Sequence, residues 1–171
     1  GVIMYVQFIF IAVFFGYSIG TAPIVGFNFG AQRHSELKNM LRKSMLIMIS
    51  SGVFMMALAQ LLASTLARIF VGYDPELMEM TKHAFSLVSF SFILAGVNIY
   101  ISSFFTALNN GVISAVVSFL RTLVFQASSV LILPIFFELD GIWAAITVAE
   151  LCAAAISIFL LFANRKKYNY M

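Results

Sequence analysis

The chain has 171 residues, of which 62% are hydrophobic and only 10% are charged, whereas about 25% of the residues in an ordinary soluble domain are charged. This composition excludes a soluble globular domain and predicts an integral membrane protein. The formal net charge of +3 does not indicate nucleic acid as a partner, because we place the charges in the connections between long apolar segments.

Five apolar segments each reach the roughly 20 residues that a membrane-spanning helix needs. They cover residues 2–29, 44–71, 83–108, 111–137 and 141–163. The sequence therefore predicts an all-α polytopic membrane protein with the lipid bilayer as its first partner. The first segment is too long for a signal peptide and lacks a basic start, so we interpret it as a span. Since the chain begins with Gly1, we expect a fragment whose missing part lies N-terminal.

Proline marks two places along the chain. Pro23 lies in the first segment with glycines on both sides, and a proline there removes a backbone hydrogen bond and bends the helix. We therefore predict Pro23 as a hinge.

Asp74, Pro75 and Glu76 are typical of a helix start, with an N-cap, a proline at the first helical position and an acid in the first turn.

Three of the segments carry a polar stripe at helical spacing. The stripes are Gln7, Ser18, Thr21 and Asn28 in the first segment, Ser91, Asn98, Ser102, Thr106 and Asn109 in the third, and Ser114, Ser118, Arg121 and Ser128 in the fourth. In lipid such faces turn inward, either to hydrogen-bond with each other or to line a wet cavity. We predict Gln7, Asn28, Asn98 and Gln126 as candidates for a substrate pathway.

Basic and acidic residues are segregated between alternate connections. The basic set is Arg33, Lys38, Arg42, Lys43, Arg165, Lys166 and Lys167, and the acidic set is Asp74, Glu76, Glu79, Glu138 and Asp140. Because cytoplasmic loops collect Lys and Arg, we predict that residues 31–43 and 164–171 are cytoplasmic and that residues 72–82 and 138–140 are external. The protein is then a multi-pass protein of the plasma (inner) membrane with a cytoplasmic C-terminus.

Two opposite charges fall in the middle of the last two segments. Arg121 lies roughly 15 Å from the start of its helix near Gly111, and Glu150 lies roughly 14 Å from Gly141. Two antiparallel neighbours would hold both groups near the midplane of a hydrocarbon core that is about 30 Å thick. Ionisable groups at that depth normally pair with each other or face the interior of the bundle. We therefore predict an intramembrane ion pair between Arg121 and Glu150 with a mainly structural role.

Residues that carry catalysis or bind metals are sparse. The single cysteine, Cys152, excludes an internal disulfide. His34 and His83 lie near opposite membrane faces, so we do not expect a shared metal, and the ligands of any metal stay unknown. An intramembrane enzyme would need paired acids or a nucleophile with its base, whereas Glu150 is the only acid inside a span. We therefore expect no enzyme and no cofactor.

Several stretches form loose motifs in a fixed order along the chain. They are Gly20–Ala31 (GTAPIVGFNFGA), Ser102–Gly111 (SSFFTALNNG), Ser118–Arg121 (SFLR), Pro134, Gly141–Ala145 (GIWAA) and Ala149–Glu150. In order and topology they resemble the C-terminal lobe of transporters of the multidrug and toxic compound extrusion (MATE) family. The resemblance implies helices eight to twelve of a twelve-helix, two-lobed antiporter, in which the N-terminal lobe and helix seven are missing.

The resemblance also implies a function. A MATE transporter exports amphipathic, typically cationic, drugs or toxic compounds in exchange for Na⁺ or H⁺, and its principal cation-binding acid belongs to the missing N-terminal lobe. No coupling-ion site is therefore transferred onto this sequence, and the expected partners are small-molecule substrates and that lobe. A lipid-linked oligosaccharide flippase of similar architecture is the alternative, although such a protein needs a strongly cationic cavity and Arg121 offers only one charge.

Overall fold

A computed structural model of residues 1–171 contains helices and no strands. The helices are α1 (Val2–Gly30), α2 (His34–Val71), α3 (Pro75–Val88), α4 (Ser91–Ala107), α5 (Gly111–Phe119), a π-helical segment (Leu120–Phe125), α6 (Gln126–Ala163) and α7 (Arg165–Tyr168). The predicted all-α class is confirmed. Large hydrophobic side chains such as Phe8, Leu61 and Ile135 are exposed on the outside of the bundle, as lipid-facing positions are.

Three helical stretches are long and apolar enough to cross a membrane, namely α1, α2 and residues Gly111–Ala163, and α3 with α4 form a fourth that is bent by 43°. The third stretch has 53 residues, which would extend about 80 Å if it were straight. A hydrocarbon core is only about 30 Å thick. The stretch can therefore lie in a membrane only if it folds back on itself.

That reversal occurs at Glu138, whose backbone leaves the helical region with φ 50° and ψ −126°. A Cβ placed on Gly141 would clash with the carbonyl oxygen of Leu133, although residues eight apart in a straight helix are separated by about 12 Å. α6 thus consists of two antiparallel arms, residues 126–137 and 139–163. The turn between them is the single residue Glu138, shorter than the connection at residues 138–140 expected from the sequence.

The span predicted at 83–108 is not one straight helix. α3 ends at Val88 and α4 begins at Ser91, with Ser89 and Phe90 at the break. Two serine hydroxyls at the break donate to backbone carbonyls at the end of α3: Ser89 Oγ to Ser86 O at 3.2 Å and Ser91 Oγ to Val88 O at 2.7 Å. Such local bonds compete with the helical ladder and bend helices, which gives a physical reason for the break.

α2 is longer than the span predicted at 44–71, because it begins at His34. Lys38, Arg42 and Lys43 therefore lie on the first turns of a helix and not in a loop, which corrects the placement of these charges made from the sequence.

The predicted helix start at Asp74 is confirmed, since Asp74 Oδ1 accepts hydrogen bonds from the backbone N–H groups of residues 76 and 77 at 3.0 and 3.2 Å.

α4 is the centre of the bundle and packs against α1, α2 and α6. Small residues let its neighbours approach closely. A Cβ on Gly52 of α2 would lie 2.6 Å from the Cα atom of Ile93 in α4, and a Cβ on Gly96 of α4 would lie 2.8 Å from the ring of Phe14 in α1. The two glycines thus set the distance at which α1 and α2 pack on α4.

The residues after α6 fold back under the bundle. Asn169 has a left-handed backbone conformation (φ 51°, ψ 41°), and it separates Tyr168 from the fully buried Tyr170. Asn110 Nδ2 donates to Tyr168 Oη at 2.7 Å, and Tyr170 Oη donates to Leu161 O at 2.7 Å. Burial raises the pKa of Tyr170 above its ordinary value, so this phenol is neutral in its buried site.

Candidate functional site

An ion pair lies between the two antiparallel stretches that flank Glu138. Arg121 Nη2 and Glu150 Oε1 are 2.6 Å apart, and Arg121 Nε donates to Oε1 and Oε2 at 2.9 and 3.0 Å. The side chains are 17% and 10% exposed. Two guanidinium nitrogens therefore bind one carboxylate, a geometry that is stronger and more directional than a single contact. The structure thus brings together the two intramembrane charges of the sequence.

Arg121 belongs to the π-helical segment Leu120–Phe125. The backbone N–H of Gln126 donates to the carbonyl oxygen of Arg121, five residues back along the chain instead of four. A π-helical turn holds one more residue than an α-helical turn, and such turns are frequent at functional sites. The fourth predicted span, residues 111–137, is therefore helical but not a uniform α-helix.

Asn98 binds the same carboxylate from α4. It is fully buried, and its Nδ2 donates to Glu150 Oε2 at 2.7 Å and to Glu150 O at 3.0 Å. Its Oδ1 has no hydrogen-bond partner. An unpaired buried polar group costs about 1–3 kcal/mol, so the two bonds to Glu150 are made at the expense of this oxygen.

A cavity of about 330 Å³ opens on one side of Arg121, between α1, α4 and α5. We call it the α4 cavity. Its lining consists of Phe15, Ser18, Ile19, Ala22, Asn98, Ile99, Ser102, Ser103, Thr106, Val117, Ser118 and Arg121. Ser18 is buried like Asn98, and its Oγ also lacks a partner. Two buried oxygens without hydrogen-bond partners therefore lie in residues that line the α4 cavity, whose other walls are apolar or carry hydroxyl groups.

A second cavity, of about 340 Å³, lies beside the ion pair and shares Phe15 and Arg121 with the α4 cavity. This α6 cavity is lined by Met4, Gln7, Phe8, Ile11, Phe15, Arg121, Thr122, Gln126, Ile146, Ala149 and Glu150. Gln7 and Gln126, both predicted from the sequence as pathway residues, therefore lie in one cavity with the charged pair. Arg121 lines both cavities, and no other basic residue lines either of them.

The polar stripes of α4 and α5 meet each other as well as the α4 cavity. Ser102 Oγ lies 2.9 Å from Ser114 Oγ and 3.0 Å from Ser118 Oγ, and Thr106 Oγ1 donates to Ser114 Oγ at 2.7 Å. The sequence left two roles open for these stripes, contact between helices and lining of a cavity. The structure shows both, since Ser102, Ser118 and Thr106 also line the α4 cavity.

Two residues singled out in the sequence lie elsewhere. Asn28 is buried and its Nδ2 donates to Ile24 O at 2.9 Å, so its side chain is occupied within α1, and it lines neither cavity. The structure gives no support to a pathway role for Asn28. Pro23 lies inside α1, which is a continuous helix from Val2 to Gly30, and its role as a hinge stays a prediction.

His83 makes a contact that the sequence did not indicate. Its Nε2 lies 3.0 Å from Asp140 Oδ1, and both side chains are more than half exposed. His83 also packs edge-on against the Trp143 ring, with the ring centroids 6.4 Å apart. This contact joins α3 to the second arm of α6 at the acidic end of the bundle, away from the ion pair.

Comparison with known proteins identifies the fold. A sequence model of the family described as MatE matches residues 1–132, well over half of the chain. The chain belongs to the MatE family. The resemblance of the sequence motifs to the MATE family is therefore confirmed. Family membership and the long apolar helices together show that this MatE chain is a multi-pass membrane protein. No curated protein matches it significantly.

Solved MATE structures share the arrangement of this MatE chain. The MATE transporter VcmN from Vibrio cholerae in its bent form matches with a TM-score of 0.86 at 15% identity, over 95% of this chain and 37% of that one. The inward-facing conformation of a multidrug resistance MATE family transporter of the MOP superfamily matches with a TM-score of 0.89 at 18% identity, over 97% and 39%. A MATE protein in complex with MaL6 gives 0.86 at 18% identity, over 97% and 38%. The chain thus spans less than two fifths of the length of these structures.

Proposed function

We propose that this chain forms most of the C-terminal lobe of a secondary antiporter that exports amphipathic cationic drugs or toxic compounds in exchange for Na⁺ or H⁺. Family membership and fold support the general class of transporter. The partners in this proposal are the small-molecule substrate and an N-terminal lobe that holds the coupling-ion site. In secondary transporters built from repeats, substrate sites lie near the bilayer midplane and the repeats rock around them.

The observation that carries the proposal is the two neighbouring cavities that Arg121 lines, one of which Glu150 also lines. Each combines apolar walls with a few polar groups, which is the usual composition of a small-molecule site. The cationic preference in this proposal comes from the family resemblance, and neutral polar lining groups such as the Ser102 hydroxyl and the Gln126 amide can accept hydrogen bonds from a protonated amine. We assign the amide groups of Gln7 and Gln126 to substrate contact in the α6 cavity.

The ion pair has a supporting role in this proposal. Arg121 already donates to both oxygens of Glu150, and Asn98 donates to one of them. A coupling group would have to exchange its proton or cation during each cycle, and a carboxylate held by these donors is poorly placed for that. We therefore propose that the pair holds the two antiparallel stretches beside α4 and that the coupling ion binds outside this chain.

Efflux of a panel of compounds by the full-length protein tests this function. Cells that express it should expel cationic dyes and biocides, and Gln7→Ala and Gln126→Ala should change the order of preference among them. Ser50→Ala is the matched control, since Ser50 is an exposed polar residue on α2 whose hydroxyl bonds only to Ile47 O, at 3.1 Å. A uniform loss for all compounds would point to assembly instead of substrate contact.

The same assay separates the flippase alternative. A lipid-linked oligosaccharide carries a pyrophosphate, which requires cationic groups in the pathway, yet the only basic residue in the two cavities is neutralised by Glu150. Absence of dye efflux together with transbilayer movement of a fluorescent lipid-linked pyrophosphate in proteoliposomes would overturn the antiporter proposal.

A further inference from the structure

A third cavity lies far from the ion pair, where α2 begins and α6 ends. It has a volume of about 360 Å³ and an almost wholly apolar lining. Leu41 and Met45 of α2 form one wall, and Ile158, Leu161 and Phe162 of α6 form the other. We call it the terminal groove. Because Ile158 and Phe162 are 39% and 50% exposed, the groove is open along its length to the outside of the bundle.

Two basic side chains lie at one end of this apolar groove. Lys38 and Arg42 belong to its lining and lie one helical turn apart on α2. Neither forms a salt bridge, since the three in the structure are Lys82–Glu79, His83–Asp140 and Arg121–Glu150. Long basic side chains at such places cover apolar surface with their methylene stems and present the charge to the polar layer. The terminal groove therefore has unneutralised positive charge at its mouth.

The order of these residues along the helices matches the depth profile of a bilayer. At about 1.5 Å per residue, Arg42 lies roughly 6 Å farther along α2 than Lys38, and Met45 lies roughly 10 Å farther. α6 enters from the opposite direction, so that Ile158 lies deeper than Phe162. The groove thus runs from a cationic level to a hydrocarbon level, whereas a water-soluble partner would meet the charges and leave the apolar floor empty.

The C-terminal tail forms part of the groove. Tyr170 and Met171 complete its lining, and Tyr170 is held in place by the hydrogen bond from its Oη to Leu161 O. The floor is therefore built by buried and hydrogen-bonded residues and is not a gap between loosely packed helices.

We propose that the terminal groove binds one anionic phospholipid, with the phosphate between Lys38 and Arg42 and an acyl chain along Met45, Leu161 and Ile158. Anionic headgroups are the membrane component that complements unpaired Lys and Arg at the interface. A hydrocarbon chain complements the apolar lining because both bury nonpolar surface when they are in contact. This site is separate from the transport cavities, so that the proposal does not depend on the substrate or on the coupling ion.

Lipid binding to the purified full-length protein tests this proposal. In native mass spectrometry of detergent-solubilised protein titrated with dioleoyl phosphatidylglycerol or dioleoyl phosphatidylcholine, we expect at least tenfold tighter binding of the first lipid bound when it is phosphatidylglycerol. Lys38→Gln and Arg42→Gln should each weaken that binding about fivefold, the value of one interfacial cation. Lys43→Gln is the matched control, since Lys43 neighbours Arg42 but does not line the groove, and it should change the affinity less than twofold.

A second variant addresses the acyl chain without changing charge. Ile158→Trp fills an exposed position in the α6 wall of the groove, and it should reduce the occupancy of both lipids while the gel-filtration profile of the protein stays unchanged. Equal affinity for the two lipids, or equal losses in Arg42→Gln and Lys43→Gln, would show only a diffuse surface charge and would overturn the proposal. Full displacement of the lipid by free glycerol phosphate, or wild-type lipid occupancy in Ile158→Trp, would overturn it as well.

Discussion

Replacement of Glu150 by glutamine measures what the intramembrane pair contributes to folding. Three hydrogen bonds from Arg121 and one from Asn98 Nδ2 end on the Glu150 carboxylate, and no other acidic side chain lines either cavity. The variant therefore leaves the guanidinium without a counter-charge in a largely buried site. Breaking a buried pair from one side costs about 3–5 kcal/mol, which lowers the ratio of folded to unfolded protein by a factor between about 10² and 10⁴.

The assay is the yield of monodisperse full-length protein in a mild detergent, followed by fluorescence of a C-terminal tag during gel filtration. Glu150→Gln and Arg121→Gln should each give a strongly reduced peak. The double variant removes both charges and keeps a glutamine pair of suitable length, so it should recover part of the yield. Glu79→Gln is the control, because the exposed Lys82–Glu79 pair, 3.4 Å apart, belongs to a class worth about 0–1 kcal/mol.

One result would refute this reasoning. If Glu150→Gln is produced and folded like the unaltered protein but loses the dependence of efflux on pH or on Na⁺, the charge serves coupling and not structure. An unrecovered yield in the double variant would separately show that the hydrogen bonds, and not the balance of charge, hold this part of the bundle.

Three further predictions concern the helices around the site. In a cysteine-free background, cysteines at positions 39 and 76 should react with an impermeant reagent from opposite sides of the membrane, with Asn39 cytoplasmic and Glu76 external, and labelling of both from one side would exclude the proposed topology. Pro23→Ala should impair efflux at near-normal expression if the proline is a hinge, and unaltered efflux would reject it. Gly52→Ala should destabilise the protein by about 1–3 kcal/mol, because its Cβ would lie 2.6 Å from a Cα atom of α4, whereas Gly16→Ala meets nothing within 4 Å and should be neutral or stabilising in thermal denaturation.

Local signals in the sequence were sufficient for several features of this fold. The lengths of the apolar segments predicted an all-helical protein, and the residue types at Asp74–Glu76 predicted that Asp74 caps the start of α3. The pairing of Arg121 with Glu150 could also be anticipated, because a short turn between two apolar stretches places two charges at equal depth. Each of these inferences uses residues that are neighbours along the chain or on adjacent helices.

Other features depend on which helices meet, and the sequence does not encode that locally. The contact of Asn98 with Glu150 joins residues 52 positions apart, so the polar stripe of α4 predicted an inward face but not its partner. The π-helical segment at Leu120–Phe125 is apolar except for Arg121 and Thr122 and has the same hydrophobic pattern as an α-helix. The hydrogen bond from Asn28 Nδ2 to Ile24 O within α1 also could not be predicted, because a polar stripe records only the residue type at each position.

The one-residue turn at Glu138 has a consequence for how the protein enters the membrane. Arg121 and Glu150 are separated by 29 residues, and no flexible loop lies between the helical stretches that carry them. Inserted singly, each stretch would bring an unpaired charge into the hydrocarbon at a cost of roughly 2.5–3.5 kcal/mol. A helical hairpin with so short a turn can form its salt bridge as soon as the second arm is synthesised, so that biogenesis of this part of the chain proceeds most easily as the insertion of one neutral unit.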